Sequence, residues 1–129
     1  MNTKTLINSY GSFLNSKTWD YFTTISFKWP IKENRNRIIM DRLANELQKT
    51  EKEFEMFWVS EWHKSGTSVH NHLLFRGDIK YDINKYCTSN NIANKKNIYH
   101  LKYDTNKGAA YYICKNIDKS VDNDIYYSK

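Results

Sequence analysis

Apolar residues along this chain recur with two different spacings, and the alternation between them sets out the elements. Residues 34–50 place Ile39, Leu43 and Leu47 four apart, with Met40 and Ala44 alongside, a single apolar stripe that predicts a helix. Residues 19–28 (WDYFTTISFK) are β-branched and aromatic and predict a strand, stopped by Pro30. Two further apolar runs, 54–63 and 69–76, are joined by Lys64-Ser65-Gly66-Thr67-Ser68, a turn-forming stretch that predicts a β-hairpin. Asp78 is a candidate cap for a helix carrying Ile79, Ile83, Tyr86 and Cys87 on one side. Residues 97–104 read as another strand. Thr105 or Asn106 then opens a helix through the GAAYYICKNI stretch. A short amphipathic helix is expected over 5–15 and a last strand at Ile125–Tyr127.

Strands interleaved with helices, plus one tight hairpin, predict an α+β fold. Its centre is an antiparallel sheet of four to five strands with flanking helices. At 129 residues the expectation is a single domain, 1–129.

Composition adds a partner class to this picture. Hydrophobic residues make up 40% and charged residues 26%, which fits a globular chain. The net charge of +6 and an aromatic share of 16%, ten of them Tyr, suit a polyanion whose bases stack on rings. The two cysteines, Cys87 and Cys114, make neither a disulfide framework nor a metal pair. No apolar run approaches the roughly 18 residues of a membrane span. The first residues hold no signal-peptide core, so a cytoplasmic location is expected.

The candidate chemistry lies in the hairpin. Side chains two apart on a strand share a face, so His70 and His72 point the same way, and Glu61 shares its face with Val59 and His63. A turn centred on Gly66-Thr67 sets Glu61 opposite His72, and one centred on Ser65-Gly66 sets it opposite His70. Either register brings the carboxylate beside both imidazoles. Two imidazoles and a carboxylate can hold a divalent cation and leave positions open for substrate. His63 is a weaker fourth candidate, and His100, with no such partner, is expected to be structural.

A second cluster is Tyr111-Tyr112-Ile113-Cys114-Lys115. On a helix Lys115 reaches the side of either tyrosine, where a cation can stabilise a phenolate or a crowded phosphate. Tyr and Lys at this spacing are also common on solvated helix faces, so the cluster gains meaning only beside the first one.

Together these residues make the chain similar to the HUH endonucleases, specifically the rolling-circle replication initiators (Rep) of small plasmids, phages and single-stranded DNA viruses. Phe22-Thr23-Thr24-Ile25-Ser26-Phe27 resembles the first motif, a strand of the FLTLT type. Glu61 with His70-Asn71-His72 resembles the metal-binding motif, and Tyr112-Ile113-Cys114-Lys115 the Tyr-x-x-Lys motif. Two positions depart from the pattern. Asn71 stands where a hydrophobic residue is usual, and Asn116 where two-tyrosine members carry a second Tyr. The resemblance implies a ferredoxin-like or RNA-recognition-like sheet and a single-tyrosine enzyme. It implies Mg2+ or Mn2+ on Glu61, His70 and His72, Tyr112 as nucleophile and Lys115 as its helper. The implied substrate is single-stranded DNA in an origin hairpin or loop, with strand separation supplied by a separate helicase, since no Walker A lysine motif is present. Competing readings are a single-tyrosine transposase or relaxase of the same superfamily, and a non-catalytic module that binds single-stranded nucleic acid. Which basic residues meet DNA is open; Lys95-Lys96 and Arg35/Arg37 are candidates only by charge.

Overall fold

A computed structural model describes residues 3–63, 66, 68–104, 108, 110, 113 and 122–129. Helix α1 (Thr3–Asn15) leads to strand β1 (Tyr21–Ile25) and helix α2 (Glu33–Lys49). The hairpin follows as β2 (Glu55–Trp62) and β3 (Val69–Arg76), then helix α3 (Lys80–Ser89), β4 (Ile98–Lys102) and β5 (Asp122–Tyr127). The five strands form one sheet in the order β4-β1-β3-β2-β5, and every neighbouring pair is antiparallel. Strand β3 separates β1 from β2, so α2 closes a split β-α-β unit, and β4 pairs on the far side of β1. That is the ferredoxin-like order, extended by β5 at the β2 edge. The expected α+β architecture is what the chain adopts.

Two cores sit on opposite faces of this sheet. Ile39, Met40, Leu43 and Leu47 of α2 and Ile83, Tyr86 and Cys87 of α3 pack on Ile25, Met56, Trp58, Leu73 and Phe75. Each aliphatic side chain buried here contributes about 1.5–3 kcal/mol relative to exposure. The opposite face carries Phe57, Val59 and Leu74, covered by Leu14 of α1, Trp19, Ala110 and Ile113. The α2 stripe is therefore buried as its spacing predicts.

Three boundaries differ from the sequence reading. Strand β1 stops at Ile25, short of residue 28, because Ser26 N and Lys28 N leave the β3 ladder for the carbonyls of Asn97 and Ile92. Asp78 does not cap α3. The N-cap residue is Ile79, and no side-chain cap bond forms. Strand β5 begins three residues before Ile125, held by Arg37, whose guanidinium meets Asp122 at 2.7 Å and Asp124 at 2.6 Å. Gly77, at φ +113, turns the chain from β3 toward α3, and a Cβ there would lie 2.5 Å from the Glu53 carbonyl oxygen.

Candidate metal centre

The hairpin register pairs Glu61 with His70, Val59 with His72 and Ser60 with Asn71, the alignment of a turn centred on Ser65-Gly66. Gly66 takes φ +70, a conformation that favours glycine. Alternation then turns Glu61, His70 and His72 to the face opposite α2 and α3.

Their ligand atoms converge. The two Nε2 atoms stand 3.2 Å apart, and Glu61 Oε2 lies 3.6 Å from His70 Nε2 and 3.5 Å from His72 Nε2. Donor atoms bound about 2.1 Å from one cation stand roughly 3.0–3.4 Å apart, so this spacing fits a small divalent ion. Glu61, His70 and His72 form a group that could hold such an ion, compatible with a divalent metal. Hydrogen bonding to His70 and then His72 holds the Glu61 carboxyl well below the usual carboxylate range, against the desolvation that opposes it. An ionised carboxylate is what a cation site requires.

A neighbouring strand supports the second histidine. Thr24 on β1 pairs in register with His72, and its Oγ1 lies 3.1 Å from His72 Nδ1. With Nδ1–H donating to Thr24, the Nε2 lone pair faces the centre, the usual way an outer partner fixes a ligating imidazole. The sequence reading missed this role. The β-branched run at residues 22–25 pointed to a strand but not to which of its threonines touches the site.

Asn71, between the two histidines, points the other way and is fully buried. It exchanges two amide bonds with Asn36 of α2, Asn36 Nδ2 donating at 3.1 Å and Asn71 Nδ2 at 2.8 Å. The departure from a hydrophobic residue here is met by a partner that no local pattern reveals.

His63 packs its ring on His70, centroids 4.5 Å apart, and stands outside the convergent group. Burial, and then the charge on His70, lower its pKa. His100 lies on the other face, where Nδ1 meets Thr23 Oγ1 at 2.7 Å and Nε2 meets Asn84 Oδ1 at 2.8 Å. Both its nitrogens are satisfied, as a structural histidine requires. Arg37 is occupied by Asp122 and Asp124 and stacks on Trp58, so it is no free phosphate contact.

Tyr111, Tyr112, Cys114 and Lys115 lie outside the described residues. Ala110 and Ile113 are described, and both are buried against Phe57, Val59 and Leu74, on the face that carries the triad.

The family model for replication-associated proteins of the ORF2 type matches residues 20–121, most of the chain. The chain belongs to this rolling-circle Rep-like family. No curated protein and no solved structure gives a match. Membership supports a role in replication initiation and the binding of nucleic acid. Among the described residues no helix is long and apolar enough to cross a membrane.

Proposed function

We propose that residues 1–129 are one endonuclease domain that nicks and rejoins single-stranded DNA to initiate rolling-circle replication. The observation that carries this reading is the convergence of Glu61, His70 and His72 on an open sheet face, within a replication-associated family. The triad would hold Mg2+ or Mn2+. When bound, that cation supplies Lewis-acid polarisation of the scissile phosphate.

The protein's own residues divide the remaining work. Glu61 and the two imidazoles hold their positions because β2, β3 and β1 fix them within one ladder. Tyr112 attacks the phosphorus through its phenolic oxygen. A P–O bond forms to the tyrosine as the bond to the 3′ oxygen breaks. The phenolic proton is taken up by the departing 3′ oxygen or by solvent, and Lys115 offsets the charge that gathers on the phosphate. A free 3′-OH remains to prime synthesis, and the phosphotyrosine ester keeps the energy needed to rejoin the strand. Burial of Ala110 and Ile113 against the triad's face supports assigning the nucleophile to this segment. The substrate would be a single-stranded origin loop in the cytoplasm, opened by a separate helicase.

The test is a random-sequence pool of single-stranded oligonucleotides incubated with the protein and Mn2+, then run on a denaturing gel. The 3′-labelled pool should yield label bound covalently to protein, and the 5′-labelled pool a released fragment that a polymerase can extend. Tyr112→Phe should abolish the adduct while Tyr111→Phe keeps it. Survival of the adduct in Tyr112→Phe would overturn the assignment of the nucleophile, and a pool left intact by the wild type would overturn the nuclease reading.

A further inference from the structure

We propose that Tyr99 of β4 is a base-stacking platform for the single strand, and that the strand leaves the metal centre across β1 and β4 rather than across β5. The inference rests on the single-stranded DNA reading above and names a subsite for it.

The sheet register supplies the first part. One row runs Asn123, Val59, His72, Thr24, Tyr99 across all five strands, so these residues share a face. Tyr99 stands two strands from His72, about 10 Å at ordinary strand spacing. It is 65% exposed, and Leu101, two residues along the same strand and face, is 43% exposed. A large aromatic left open beside a metal-binding group has no packing role to explain it. Every base offers a π-face, so such a ring takes a single strand without reading its sequence.

Charge supplies the direction. The segments 21–32 and 91–103 flank this half of the sheet and contain no acidic residue, while Lys28, Lys32, Lys95, Lys96 and Lys102 lie within them. They are held together at the end of the sheet, since Ser26 N donates to Asn97 O and Lys28 N to Ile92 O. The 3-10 turn Lys95–Asn97 that leads into β4 leaves both of its lysines exposed. The opposite edge is acidic. Asp122 and Asp124 of β5 and Asp41 of α2 share the single Arg37, an arrangement that repels a phosphate backbone. A polyanion entering the metal site therefore meets attraction on the β4 side and repulsion on the β5 side.

The test uses the full chain in EDTA, so that no cleavage intervenes, and a short fluorescein-labelled oligothymidylate carrying one 2-aminopurine. Binding should quench the 2-aminopurine in wild type and in Tyr99→Phe. Tyr99→Ala should weaken the Kd by roughly 10-fold or more, with the salt slope unchanged, because a ring and not a charge is lost. Replacing Lys95 and Lys96 together by Gln should instead lower the salt slope by about 1 or more. Tyr99 is an exposed side chain, and circular dichroism checks that its variants fold. Unchanged affinity and quenching in Tyr99→Ala, with wild type still forming the covalent adduct in Mn2+, would overturn the stacking site and leave the nuclease standing. A wild type that neither binds nor nicks would overturn both. Loss of self-association in Tyr99→Ala, with DNA affinity unchanged, would assign the face to a protein contact and overturn the proposal.

Discussion

The buried pair Asn36–Asn71 offers a sharp test of how the metal hairpin is anchored. Both side chains are fully buried, and each amide donates to the other across the interface between α2 and β3. Asn71→Leu removes both bonds and strands the Asn36 amide in an apolar setting. An unsatisfied buried polar group costs about 1–3 kcal/mol, and Asn36 loses a donor and an acceptor together, so about 2–4 kcal/mol is expected. For a domain of this size that lowers Tm by roughly 5–15 °C. The second change, Asn36→Leu on top of Asn71→Leu, removes the stranded amide as well. The double variant should recover most of the loss, giving a coupling of about 2 kcal/mol or more. Urea unfolding followed by tryptophan fluorescence reads this directly, provided the slope with denaturant stays constant across the four proteins. A single Asn71→Leu as stable as wild type would refute the argument, as would a double variant whose loss equals the sum of the singles.

Four further outcomes follow from the same geometry. His70→Ala and His72→Ala should each remove Mn2+ binding measured by calorimetry while leaving circular dichroism unchanged; retained affinity in both would refute the triad. Thr24→Val should weaken Mn2+ affinity by about 10-fold, the usual effect of losing a ligand's outer hydrogen bond, and unchanged affinity would mean that His72 needs no such support. Burial, then the nearby charge of Lys80, pushes the His100 pKa down to about 4. Between its ordinary range near 6.5 and that value only the unfolded chain takes up the proton. Stability from this site is therefore present above about pH 6.5 and is lost as pH falls toward 4, by roughly 1–3 kcal/mol. His100→Gln should show a flatter profile in that window, and identical profiles would refute the assignment. Gly77→Ala should be strongly destabilising in thermal melts, because its Cβ would meet the Glu53 carbonyl at 2.5 Å; a melt within a degree of wild type would contradict the turn geometry.

The elements were legible where a period is long or a turn is tight. The stripe from Ile39 to Leu47 identifies α2, and residues 69–76 coincide with β3 from end to end. The triad was legible too, because alternation alone puts Glu61, His70 and His72 on one face in either register. What alternation cannot do is choose between the registers, since both centre on the same short loop. Boundaries were lost where tertiary bonds override local preference. Residues 26–28 have strand composition, yet they bond to Asn97 and Ile92 rather than to β3, and β5 begins early because Arg37 draws Asp122 and Asp124 to α2. The Thr24 and Asn36 contacts escaped for the same reason. Their partners lie 48 and 35 residues away, beyond any local pattern.

The two faces of the sheet show how one residue type takes on different work. The face under α2 and α3 carries polar exceptions, and the polar groups quoted there have partners: His100 with Thr23 and Asn84, Asn71 with Asn36. The other face carries His70, His72 and Glu61, whose inward atoms have chiefly one another. Two imidazole nitrogens and an ionised carboxylate at 3.2–3.6 Å satisfy their hydrogen-bonding capacity poorly as a set, because three lone-pair-bearing atoms then compete for few protons. A divalent ion resolves that shortage by accepting all three. His100, with both nitrogens satisfied across the β1 and α3 contacts, gains nothing from such an ion. The difference between the structural histidine and the two at the candidate metal centre is thus a difference in what stands opposite each nitrogen, fixed by which side of a strand each residue number falls on.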